Sequence, residues 1–160
     1  MREFYTESGR TISYRGRGIE CCPVGNKYGD KIQSLDDLFG LLLDCWCRET
    51  AYPPCQEEYD HEKDPTCGQC AITATIVHDI FGGDVIKIRQ NNGATHYFNR
   101  IDGNYIDLTS DQFDLYGIKY DFEPNIVIPR KYYNNSPDTK KRYQLLLDLL
   151  ELRLLGISLK

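Results

Sequence analysis

The chain has 160 residues, enough for one domain that buries about 70% of its unfolded surface. Hydrophobic residues at 41% and charged residues at 27% exclude a disordered or fibrous chain. A net charge of −5 argues against a nucleic-acid partner, because phosphate affinity needs a basic surface.

No stretch is long and apolar enough for a bilayer. The greasiest run, Leu38 to Leu43, is interrupted by Gly40 and ended by Asp44, so no membrane partner is expected. The N-terminal residues carry charges with no apolar run behind them, so no secretory signal is expected and the chain reads as cytoplasmic. Residues 1–33, rich in Gly, Arg and Tyr, show no sustained period and read as short strands and loops.

Ser34 followed by Asp37 predicts a capped helix start, and Leu35, Leu38, Phe39, Leu42 and Cys45/Trp46 continue it on one face. Between Glu49 and Cys67 lie three prolines and a run of acids from Glu57 to Asp64, a connection long enough to be functional or mobile. A second helix begins near Gly68 or Gln69, buries Ile72, Ile76, Val77, Ile80 and Phe81, and ends at Gly82-Gly83. Three strands follow, Asp84–Gln90, Thr95–Ile101 and Asn104–Thr109, with turns at Asn91-Asn92-Gly93 and Asp102-Gly103. After a mixed segment holding Ile126–Ile128, Ser136-Pro137 opens a last helix striped by Tyr143, Leu146, Leu150 and Leu154. The order predicts a single α+β domain, with helices packed on an antiparallel meander. Its parts are an irregular segment 1–33, a core 34–113, and a C-terminal strand and helix 114–160.

Seven cysteines, an odd number, leave at least one thiol unpaired, and a reducing compartment leaves all of them free. Cys70 falls in the first turn of the second helix, where unpaired N–H groups and the dipole favour thiolate over thiol. His96 lies early in the middle strand and Asp107 in the next. A two-residue loop at Asp102-Gly103 opposes Ile101 to Asn104 and Phe98 to Asp107. His96 and Asp107 are then diagonal neighbours on one face; a three-residue loop would put them on opposite faces.

Thiol, imidazole and carboxylate in that order suit nucleophilic acyl chemistry. The sulfur attacks a carbonyl, the ring handles the proton, and the carboxylate orients the ring. An oxyanion site needs donors as well. The Cys70 backbone N–H is one, and Trp46 or Gln69 is a candidate second. Asn99 and Asp111 are alternative orienting groups. Read singly, each residue has a plainer role: Cys70 and Trp46 as core, His96 as packing, Asp107 as a solvated strand residue.

Cys on a helix start, His on a strand and Asp on the next resembles the papain-like and transglutaminase-like cysteine folds. More specifically, Trp46–Thr50, Gly68–Ala74, Phe81–Gly83, His96–Arg100 and Asp107–Phe113 look like the bacterial YunG family, over roughly residues 34–113. The resemblance implies a Cys70, His96, Asp107 triad by matching positions.

The expected activity is that of a thiol hydrolase or acyltransferase acting on an amide, ester or isopeptide carbonyl. The substrate is a small molecule, peptide or protein, without cofactor or bound metal. Alternatives are a non-catalytic binding module, served by the acidic loop and 12 tyrosines; a zinc site of Cys67 and Cys70 with Cys45, Cys47 or Cys55; and a Cys67/Cys70 redox pair. The acidic loop suggests a basic substrate. His61 and His78 receive no role.

Overall fold

The computed structural model describes residues 2–157 and 159, without the side chains of 133–135. The first segment contributes two short paired strands, β1 (Phe4–Tyr5) and β2 (Thr11–Ile12). Helix α1 (Leu35–Cys45) starts on the predicted cap: Asp37 N donates to Ser34 Oγ, and Ser34 N donates back to Asp37 Oδ2, both at 3.1 Å. Its buried face holds Leu35, Leu38, Phe39, Leu42 and Cys45. Phe39 meets the rings of Phe4, Tyr14 and Trp46 within 5.9 Å, which fastens the N-terminal segment to the helical core.

The long proline-containing connection is a folded wrap. It holds a 3-10 turn at Arg48–Thr50 and a short helix, α2 (Pro53–Gln56). Inside it, Tyr59 is buried and donates its hydroxyl to Pro65 O at 2.7 Å, and Arg48 donates to the carbonyls of Gln56, Glu57 and Tyr59. These bonds satisfy backbone that a bare loop would leave to water.

Helix α3 (Cys70–Phe81) is buried nearly all round, which suits a central helix. It leads into β3 (Asp84–Arg89), β4 (Thr95–Ile101) and β5 (Asn104–Ile106). A short helix α4 (Asp111–Asp114), strand β6 (Ile126–Ile128) and helix α5 (Pro137–Leu154) complete the chain. The four-stranded sheet has order β5-β4-β3-β6 with antiparallel neighbours, so the fold is mixed α+β.

Asp102 and Gly103 both have positive φ (51° and 79°), the geometry of a two-residue type I′ turn. Ile101 therefore pairs with Asn104 and Asn99 with Ile106, the register that sets His96 diagonal to Asp107. The third strand is shorter than the predicted 104–109. Asp107 accepts from the Thr109 N–H and hydroxyl at 3.0 and 3.1 Å, and this side-chain turn ends the pairing with β4. Asp107 bridges instead to Arg15 of the first segment.

Helix α3 runs alongside β4. Asn99 Nδ2 donates to Ala74 O at 2.9 Å midway, and Gly83 lies against Arg100 and Ile101 at the far end. A Cβ on Gly83 would stand 2.4 Å from Arg100 O, whereas one on Gly93 would meet nothing within 4 Å. Both glycines have positive φ, so both alanine variants carry the left-handed penalty of about 1–2 kcal/mol. Gly83→Ala is expected to lose roughly 1–3 kcal/mol more than Gly93→Ala in urea unfolding, because backbone cannot step aside. Equal losses would show that β4 yields at that point.

Candidate active site

The parallel run of α3 and β4 brings the start of the helix beside the start of the strand. Cys70 and His96 thereby meet across 26 residues of chain. His96 is fully buried, its ring set edge-on to Phe113 at 4.6 Å and to Tyr120 at 5.2 Å. Its Nε2 donates to Asp107 Oδ2 at 2.6 Å.

Asp107 is 1% exposed and its acceptor capacity is filled. Oδ2 takes His96 and the Tyr120 hydroxyl; Oδ1 takes the Thr109 N–H and hydroxyl. A carboxylate only accepts, so the proton lies on Nε2 and the tautomer is fixed. Nδ1 is left buried, with no hydrogen bond of ordinary geometry among the described residues. The Cys70 sulfur is an electrostatic neighbour of the same ring. Burial alone would lower the His96 pKa; the charge and hydrogen bond of Asp107, with a further contribution from Cys70, raise it above the ordinary value. Burial would likewise raise Asp107, but the His96 charge and the donated hydrogen bonds hold it below the usual carboxylate range.

Tyr120 and Phe113 are members of the site that the sequence did not single out. Tyr120 is 13 residues from Asp107 across an irregular stretch, and no periodicity links them. It is clamped from above by Arg15, whose guanidinium lies 3.9 Å from the ring centroid and reaches Asp114 at 2.7 Å.

The remaining candidates have other partners. Trp46 is buried with its one N–H donated to Thr73 Oγ1 at 2.9 Å, so it is a core anchor and offers no oxyanion donor. Gln69 is fully buried and donates to Cys47 O at 2.9 Å, and it is not part of the cleft wall that Cys70 lines. Asn99 ties β4 to α3, and Asp111 receives Arg10 in a two-bond pair; neither orients His96. The Cys70 backbone N–H, in the first turn of α3, has no hydrogen-bond partner among the described residues.

Cys70 is half-buried on the wall of a cleft of about 610 Å³, shared with Tyr52, Ala71, Tyr97, Phe113 and Arg142. Among the described residues, no group of three or more His, Cys, Asp or Glu side chains is placed to hold a metal ion. Burial, the nearby Asp64 charge and the neighbouring Cys55 thiol push the Cys67 pKa up to about 12. That disfavours the thiolate a zinc ligand or attacking redox thiol requires.

The direction of the Asp107 shift fixes a pH dependence. Its folded value lies below its unfolded one, so its stabilisation is present above about pH 4 and lost as acid drives the pH through the folded value. In Asp107→Asn, the decline of unfolding free energy between about pH 4 and 2 is expected to be shallower by up to about 1.4 kcal/mol per pH unit. Equal acid slopes would mean that the folded protein does not hold this carboxylate ionised.

A family model described as YunG protein matches residues 34–154. Over 64 residues the chain is 41% identical to Uncharacterized protein YunG of Bacillus subtilis (strain 168), a match covering 40% of this chain and 54% of that protein. The chain thus matches about half the length of this curated relative. No solved structure matches. With the family model extending from the cap of α1 to the last residue of α5, and taking in Cys70, His96, Asp107 and Tyr120, the chain belongs to the YunG family.

Proposed function

We propose that the protein is a thiol-dependent acyl-transfer enzyme on a papain-like or transglutaminase-like scaffold, with Cys70 as nucleophile, His96 as proton carrier and Asp107 as the group that orients the ring. The observation that carries this reading is the saturation of Asp107. Four donated hydrogen bonds hold the carboxylate, the carboxylate holds Nε2, and the other ring nitrogen is left on the side of Cys70, whose residue lines the cleft. A histidine serving packing alone has no need of a buried, ionised and fully bonded partner, which is costly to desolvate.

In this mechanism the Cys70 thiol passes its proton to His96 Nδ1, and the sulfur attacks a substrate carbonyl carbon, forming a C–S bond while the carbonyl π pair moves to oxygen. The Cys70 backbone N–H faces the oxyanion. Collapse re-forms the carbonyl and breaks the bond to the leaving nitrogen or oxygen, which takes the proton from His96 Nδ1. A water or amine, deprotonated by the same nitrogen, then attacks the thioester and releases the acyl group and the sulfur. Asp107 stays ionised throughout and keeps the ring from turning.

Exposed Cys22 supplies an internal reference for the test. With limiting iodoacetamide at neutral pH and peptide mapping, Cys70 is expected to be alkylated ahead of Cys22. His96→Ala is expected to slow Cys70 by about tenfold or more while Cys22 keeps its rate. Labelling of Cys70 at the Cys22 rate, or unaffected by loss of His96, would overturn the reading.

A further inference from the structure

The acidic run Glu57–Asp64, which suggested a basic substrate, contributes no residue to the wall of the cleft. Glu57, Glu58, Asp60 and Glu62 are exposed elsewhere on the wrap, and Asp64 is buried under the Tyr116 hydroxyl at 3.1 Å. The one permanently charged side chain among the described residues of that wall is Arg142. It sits on the buried face of α5 in line with Leu146 and Leu150 and is only 5% exposed.

A buried guanidinium is stable when its five N–H groups find acceptors. Here Nε donates to Asp138 Oδ2 at 2.8 Å and Nη1 to Thr50 O at 3.1 Å. Nη2 has no hydrogen-bond partner among the described residues, yet it is not sealed from the cleft as the buried, unpartnered polar atoms elsewhere are. Asp138 is the counter-charge, and its side chain is 49% exposed, so solvent weakens its hold. The Tyr52 ring, 5.8 Å from the guanidinium, walls the same side of the cleft and limits water there. The protein elsewhere carries net negative charge and repels anions, so an anion preference in this cleft needs a local cation.

Building on the reading of Cys70 as the nucleophile, we infer that Arg142 is an anion subsite, and that the substrate delivered to Cys70 carries a carboxylate beside the carbonyl under attack. The planar N–H fork left on Arg142 suits a carboxylate, and the positions flanking it are fixed by Asp138 and Thr50 before any ligand arrives.

The test uses paired maleimides with a graded series of tethers, each pair differing only in a terminal carboxylate or the corresponding primary amide. At Cys70, at least one carboxylated member is expected to react about tenfold faster than its amide, matching one charge-assisted hydrogen-bonded contact. At Cys22 no such preference is expected. Arg142→Gln is expected to abolish the preference while leaving the amide probes' rates at Cys70 in place.

Should that variant fail to fold, the unmutated protein decides by competition. Free succinate or glutarate is expected to slow the carboxylated probe at Cys70 but not at Cys22, and the corresponding diamides to do neither. Equal rates for acid and amide along the whole series, with Cys70 still faster than Cys22, overturn the subsite and leave the nucleophile reading standing. A carboxylate preference that depends on Arg142, in a protein whose Cys70 is no more reactive than Cys22 toward iodoacetamide, supports the subsite and removes the catalytic reading.

Discussion

The bond from His96 Nε2 to Asp107 Oδ2 is the interaction around which the rest of the molecule is arranged. Both partners are essentially removed from water. An isolated charge in that place would be costly by several kcal/mol, so the pair exists only while every lone pair and proton has a partner. Supplying those partners draws in distant parts of the chain. Thr109 closes a turn on one oxygen, and Tyr120 reaches the other from an irregular segment. Arg15 then lies over Tyr120, pinned by Asp114. The N-terminal segment is therefore a structural neighbour of the site, although residues 1–33 lie outside the span matched by the family model.

Much of this arrangement could be read from residue order. Ser34 and Asp37 announced a helix, the Ile72, Ile76 and Ile80 spacing announced another, and both stand where the pattern put them. Asp102-Gly103 was the most informative pair. Its positive φ at both residues makes a two-residue loop, and the loop's length sets the parity of every cross-strand neighbour. What stayed hidden depends on partners with no fixed spacing. Trp46 and Gln69 carry suitable donors, but side-chain identity does not say where a donor points; both are engaged inside the core. Tyr120 lacked any local signal. Arg142 had one, since a charge four residues before Leu146 and eight before Leu150 falls on the apolar face of α5.

The cysteines divide by environment in the same manner. Cys45 lies in the core, where burial pushes its pKa up to about 12, and Cys55 and Cys67 are half-buried free thiols whose pKa values burial also raises. Cys70 alone combines a helix start, a cleft and an imidazole. Counting thiols along the sequence invites metal or redox readings. Their placement shows Cys21 and Cys45 as buried packing groups, the commoner use of free cysteine.

The attachment of the N-terminal arm has a consequence for how the molecule comes together during synthesis. Arg10 and Arg15 find their partners about a hundred positions downstream, at Ser110, Asp111, Asp114 and Tyr120. On a ribosome the arm is made well before these partners, so its contacts with them cannot form until the meander has been synthesised. Contacts of such long sequence separation close late, after shorter loops have formed. Arg15, which covers the tyrosine bonded to the Asp107 carboxylate, is thus placed after the shorter loops have closed, and until then that tyrosine lacks its cover.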